Sequence, residues 1–159
     1  MRIAIEAGAA ALSVPGAAEK DDLHALVNSQ TIATLTPGAA FYGRSRSLPP
    51  ARLLIDAGAA VALGTGFDGV TSPSCSMAMT LSLACILLRM SPAEAITAAT
   101  LNAACSLGCG ARTGSLEAGK QADFIIASVH DYRELPYYFG VHTIARVFRR
   151  GVEISPARS

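Results

Sequence analysis

The chain has no tryptophan, only five phenylalanines and four tyrosines, and no excess of either charge: 13 Lys and Arg stand against 12 Asp and Glu. A net charge of +1 gives no broad basic footprint for a polyanion, so a nucleic-acid partner is not expected. Arg146, Arg149 and Arg150 cluster near the end, but without interleaved aromatics they read as a solvated strand edge. Long hydrophobic runs are also missing. The longest, residues 77–88, is 12 residues interrupted by Thr80 and Ser82, too short to span a bilayer and suited to a buried helix. Residues 1–14 carry Arg2 and Glu6 and make a poor signal peptide, so a cytoplasmic protein without membrane association is expected.

Chemistry-bearing residues are equally sparse. The histidines are His24, His130 and His142, and the cysteines Cys75, Cys85, Cys105 and Cys109, with no C-x-x-C and no His at zinc-finger spacing. Free thiols in a reducing compartment are the default, with Cys85 and Cys105 packing as small hydrophobes in helical patterns. The glycine-rich stretch at residues 64–69 is neither G-x-G-x-x-G nor a P-loop, and no G-x-S-x-G occurs. Ser72, Ser74 and Ser76 precede an apolar helical run, where capping explains them better than nucleophilic catalysis.

What is present is apolar. Hydrophobic residues make up 51% of the 159 and charged residues 16%, enough for a buried core and against disorder. The pattern predicts helices over residues 3–9, 23–29 (capped by Asp21 or Asp22), 51–57, the run ending near residue 89, 92–99 and from 100 to about 107. Ser91-Pro92-Ala93-Glu94 is a capping box with proline at the first helical position. Short strands are expected at residues 10–14, 31–35 (ending in a Pro37-Gly38 turn) and 60–64. A polar loop over 41–48 follows the second of these. Strands alternating with helices up to residue 108 argue for parallel β/α units. A turn-rich hairpin region at 114–120 then leads to strands at 123–128, 144–148 and 152–154, and no solenoid-period repeat is visible.

Four stretches carry a family likeness. Residues 61–73 read V-A-L-G-T-G-F-D-G-V-T-S-P, residues 31–41 T-I-A-T-L-T-P-G-A-A-F, residues 90–108 M-S-P-A-E-A-I-T-A-A-T-L-N-A-A-C-S-L-G, and residues 114–123 G-S-L-E-A-G-K-Q-A-D. Together they resemble the metal-dependent amidohydrolases, and within them the imidazolonepropionases, from about residue 5 onward. The resemblance implies an α/β fold: the C-terminal portion of a (β/α)8 barrel, about strands six to eight with their helices, over residues 1–112. A β-rich returning segment of a composite β-sandwich would occupy residues 113–159. It implies a hydrolase acting on cyclic amide or amidine C–N bonds, with 4-imidazolone-5-propanoate cleaved to N-formimino-glutamate in histidine degradation. Zinc or iron is the family's cofactor, held by an H-x-H pair on strand one, a His on strand five and an Asp after strand eight.

The likeness fails where the chemistry is carried. The strand-eight metal Asp corresponds to Gly66, and the His of the family's A-L-S-V-D-H-L stretch corresponds to Gly16 in A-L-S-V-P-G-A. Glycine can neither ligate a metal nor move a proton. The family's Asn two residues after the Asp corresponds to Asp68, which exchanges an amide for a charged acceptor and should weaken binding of a carboxylate substrate. Thr71 keeps its family hydroxyl. The substrate-binding candidates are therefore Thr71 and Asp68, with no catalytic or metal residue assigned. Activity and a bound metal are not expected of this chain alone. A small-molecule substrate enters only if the barrel is completed by a complementary N-terminal half. The alternative is a degenerate, non-catalytic packing or interaction module. Three parallel strands cannot close, so a homo-oligomer, a complex or poor solubility is expected.

Overall fold

Two small sheets divide the polypeptide, each built on a different hydrogen-bonding plan. The computed structural model describes residues 1–154; the last part of the expected returning segment, residues 155–159, lies outside the described residues. The first sheet is parallel: β1 (Ala11–Ser13), β2 (Ile32–Leu35) and β3 (Val61–Leu63) lie side by side in chain order. Ser13 pairs with Thr34, and Leu35 with Leu63, so all three C-terminal ends share one edge. Helix α1 (Arg2–Glu6) precedes β1, and α2 (Lys20–Val27) connects β1 to β2. Helices α3 (Pro37–Tyr42) and α4 (Ala51–Asp56) connect β2 to β3, and α5 (Met77–Leu88), α6 (Pro92–Ala99) and α7 (Leu101–Ser106) follow.

This half owns the core. Leu26, Leu35 and Leu54 are fully buried, and Val14, Leu63, Ala84, Leu88 and Met90 pack in the same cluster. Burying one such leucine contributes about 1.5–3 kcal/mol. Strand β3 is buried at every position, as a parallel strand covered on both faces must be. Its first carbonyl, on Val61, accepts from the Asn102 side chain of α7 at 2.8 Å, which ties the helix to the strand. The Ser91 capping box forms as the spacing predicts, with Glu94 reaching back to the Ser91 N–H at 2.8 Å. Glu94 also receives both terminal nitrogens of Arg52 at 2.9 Å, joining α4 to α6. Those bonds from Arg52, then the Ser91 backbone N–H, hold the Glu94 carboxyl down at about 2.

The second sheet is antiparallel: β4 (Phe124–Ala127), β5 (Ile144–Arg149) and β6 (Val152–Ile154), in that order, with α8 (Glu134–Tyr137) between β4 and β5 packed on α5. Phe124 stacks on Phe148 across β4 and β5 with centroids 4.4 Å apart. Arg146 pairs with Glu153 at 2.7 Å. The β5–β6 turn places Arg150 and Gly151 at φ 52° and 77°, the two successive positive values of a tight hairpin turn. Asp123 and the Ala122 carbonyl accept the N–H groups of these two residues at 2.8 Å, which steadies Arg150 in a conformation that ordinarily favours glycine.

Four local expectations change. Asp21 and Asp22 sit inside the first turn of α2 rather than capping it, and Asp22 instead accepts from the Met1 amino group and the Arg2 N–H. Pro37-Gly38 opens α3 instead of making a turn, because proline's fixed φ and missing N–H suit a first helical position equally well. Residues 114–120 form turns without a paired hairpin, and Lys120 donates to Ser115 at 2.6 Å and to Glu117 at 3.2 Å. Cys105 is exposed rather than packed, and Cys85 is half-buried. Among the described residues no helix is long and apolar enough to cross a membrane.

Candidate functional site

Because the strands are parallel, the segments leaving β1, β2 and β3 gather at one edge, residues 14–18, 36–42 and 64–73. That edge is where a β/α barrel places its chemistry. Gly16, Gly66, Asp68 and Thr71 all lie in these segments, so the structure brings the sequence candidates into one neighbourhood.

The β3 segment closes on itself. Asp68 Oδ1 accepts from the Val70 N–H at 2.7 Å, from the Thr71 N–H, and from the Ser72 N–H at 3.3 Å. Thr71 Oγ1 donates to Asp68 Oδ2. The Asp68 N–H donates to the Ser72 carbonyl at 3.1 Å, and the buried Ser72 hydroxyl donates to the Thr65 carbonyl at 2.7 Å. The Thr71 hydroxyl, followed by the Thr71 and Val70 N–H groups, holds the Asp68 carboxyl down at about 2. The side chain is a loop clasp, ionised at neutral pH and poorly placed to act as a base. Asp68 and Thr71 thus bind each other. Of the three serines weighed as caps, only Ser76 caps α5, accepting from the Met79 N–H at 3.2 Å.

Two residues that carried no sequence signal shape the same edge. Thr36, the last residue before α3, stands against Gly66: a Cβ added there would meet Thr36 Cγ2 at 2.9 Å. Ser47, in the loop before α4, donates its hydroxyl to the Gly16 carbonyl at 2.6 Å. The expected strand stops at residue 35, which leaves Thr36 without a role, and nothing marks Ser47, whose contact spans 31 positions of sequence.

The histidines stay apart from this edge. His24 is exposed on α2 and touches the Asn28 side chain at 3.3 Å, while His130 and His142 are exposed beside the second sheet. Among the described residues no three His, Cys, Asp or Glu side chains come together in a group able to hold a metal ion. The donor set does not fit a hydrolytic zinc or iron: Gly66 and Gly16 offer no side-chain donor atom, and the nearby carboxylate of Asp68 is already filled by its own loop. An apolar cavity of about 160 Å³ sits behind the loop, lined by Gly38, Phe41, Thr65, Ser72, Met79 and Leu83 among others.

Comparison with known proteins identifies the lineage. The amidohydrolase family profile matches residues 7–154. Curated imidazolonepropionases are similar: that of Solibacter usitatus is 44% identical over 94% of this chain and 36% of its own length, and that of Pseudomonas savastanoi pv. phaseolicola is 40% identical over 86% and 34%. The chain therefore spans about a third of the length of the curated relatives it matches. Among solved structures, an adenosine deaminase from Xanthomonas campestris with bound zinc superposes with a TM-score of 0.80 at 24% identity, over 90% of this chain and 36% of that one. The guanine deaminase of E. coli superposes with a TM-score of 0.72 at 22% identity, over 93% and 39%. Both show a shared fold.

Proposed function

The chain belongs to the amidohydrolase family, and from that premise we propose that it supplies the strand-six-to-eight third, with the returning β segment, of an imidazolonepropionase-like hydrolase barrel. Residues 1–112 would be the barrel portion and 113–159 the β-sandwich portion. The reaction of such a barrel is hydrolysis of the ring C–N bond of 4-imidazolone-5-propanoate to N-formimino-glutamate, a step of histidine degradation in the cytoplasm, and it would proceed only where the completing units also supply the donors that residues 16 and 66 lack. Zinc or iron, where present in such a barrel, lowers the pKa of a bound water. The residues of this chain do not fit that ion, and no catalytic step is assigned to them.

One observation carries the reading: three parallel strands deliver their C-terminal ends to one edge, with glycine at residues 16 and 66, where the resembling family has His and Asp. The chain alone is then inactive. Thr71 would reach substrate only by releasing Asp68, and the Asp68 charge opposes a substrate carboxylate. A complementary set of β/α units, on the same polypeptide or a separate one, would have to close the barrel.

The uncovered second sheet favours a second reading, a non-catalytic packing module that associates with itself or with another chain. Ile125, Val152 and Ile154 are exposed there. A chimera separates the two: this chain replaces the matching third of the Solibacter usitatus imidazolonepropionase. The first reading expects a monodisperse, cooperatively melting protein without turnover. Aggregation of the chimera, with a stable self-association of the chain alone by light scattering, would favour the second.

A further inference from the structure

We infer that residues 16 and 66 are sterically closed, so that restoring a His and an Asp at these positions does not rebuild a metal-binding edge. The choice of residue types rests on the imidazolonepropionase-like reading; the closure rests on this backbone alone.

Gly66 lies at φ +61°, in the left-handed region where an L side chain is strained before any neighbour is considered. Its Cβ would also meet Thr36 Cγ2 at 2.9 Å and Thr36 Cβ at 3.0 Å. Thr36 has little freedom to withdraw. It is β-branched, and its carbonyl is engaged by the Ala39 N–H at 3.2 Å as α3 begins. Removing the γ-methyl eases the first contact and leaves the second.

Gly16 is closed by backbone. A Cβ there would run into the carbonyl of Ser47 and lie 3.0 Å from the carbonyl carbon of Leu48. A side chain can rotate away from such a contact, whereas a peptide group cannot. The Ser47 peptide is moreover held in place, its hydroxyl donating to the Gly16 carbonyl and its carbonyl accepting from Ser45 Oγ, both at 2.6 Å. The loop after β2 has settled directly onto the β1 end, and the space a histidine needs is occupied by main chain.

Asp68 completes the closure. Four bonds from its own loop hold the segment from residue 68 to 72 as one turn, so the carboxylate of Asp68 is already occupied. Glycine at these two positions is therefore a packing requirement of this fold as well as a loss of donors.

The test uses alanine first, because alanine probes space without adding chemistry. Thermal melts of the full chain should show Gly16→Ala falling by about 5 °C or more and Gly66→Ala by about 3 °C. Gly66→Asp should fall at least as far as Gly66→Ala and recover part of the loss in a Thr36→Ser background, whereas Ser47→Ala should recover nothing for Gly16→Ala. Zinc titration by chelator competition should find no gain in affinity for Gly16→His with Gly66→Asp over the parent. If both alanine variants melt within 1 °C of the parent, the closure is wrong. Stoichiometric zinc in the doubly substituted chain also overturns it. Should that chain fail to fold, the alanine shifts decide alone. They make no appeal to the family reading, which the chimera tests separately.

Discussion

The two sheets of this molecule have three strands each and live in different conditions. The parallel sheet sits among helices, with its third strand buried at every position and its middle strand at Ala33 and Leu35. The antiparallel sheet has no buried residue in any strand, and β6 is exposed throughout. One half carries a core of its own, and the other presents half a core. The difference follows from layering: a sheet needs a second layer against its apolar face, and the described residues give that layer only to β1–β3. An amidohydrolase segment spanning about a third of its relatives thus contains one unit with a buried core and one whose strands bury no residue.

The largest expected effect tests that contrast directly. Leu54→Ala, at a fully buried site in α4, should destabilise by about 2–5 kcal/mol in urea unfolding. Ile126→Ala in β4, 41% exposed, should cost less than about 1 kcal/mol. Equal losses would mean the second sheet is covered in solution. Amide exchange should sort the same way, with β2 and β3 protected to the global limit and β5–β6 opening first.

The next effect concerns acid. Arg52 and the Ser91 N–H depress the Glu94 carboxyl from an ordinary 4.5 to about 2. A depressed carboxylate stabilises the folded form above its unfolded value, and that contribution disappears as pH falls from about 4.5 toward 2. Glu94→Gln should therefore narrow the difference in melting temperature between pH 7 and pH 3. An unchanged pH profile would remove Glu94 from the account. Smaller still, Ser91→Ala should cost about 1 kcal/mol by removing the α6 cap. Arg146→Ala, whose pair with Glu153 is solvent-exposed on the second sheet, should cost less than Ser91→Ala and lose even that in high salt. A larger loss at Arg146 than at Ser91 would reverse the ranking of the two halves.

Local sequence signals explain what was legible. Ser91-Pro92-Ala93-Glu94 specified its own box, because cap and box partners lie within one turn. The strands at 11–13, 32–35 and 61–63 were legible from short β-branched or apolar runs between turns. Pro37-Gly38 was misread because the same dipeptide serves a turn and a helix start, and helix α8, four residues long with Pro136 inside it, left no periodicity to find. At the site, glycine at residues 16 and 66 is plain in the sequence. The contacts of Thr36 and Ser47 that close those positions are not, since they depend on how segments distant in sequence come to rest against each other. The mutual bonding of Asp68 and Thr71 lay between: three residues apart in a glycine-flanked loop, it was open to a turn reading but not determined by one.

The central question is whether these side chains hold a hydrolytic ion. The direct measurement is metal content of the purified chain after incubation with zinc or iron(II) and desalting, with formimino-glutamate release from 4-imidazolone-5-propanoate followed on the same sample. The expected result is well under one metal per chain and no product above the buffer rate. One tightly held ion per chain, with turnover that is lost on chelation and returns on adding the metal back, would contradict it.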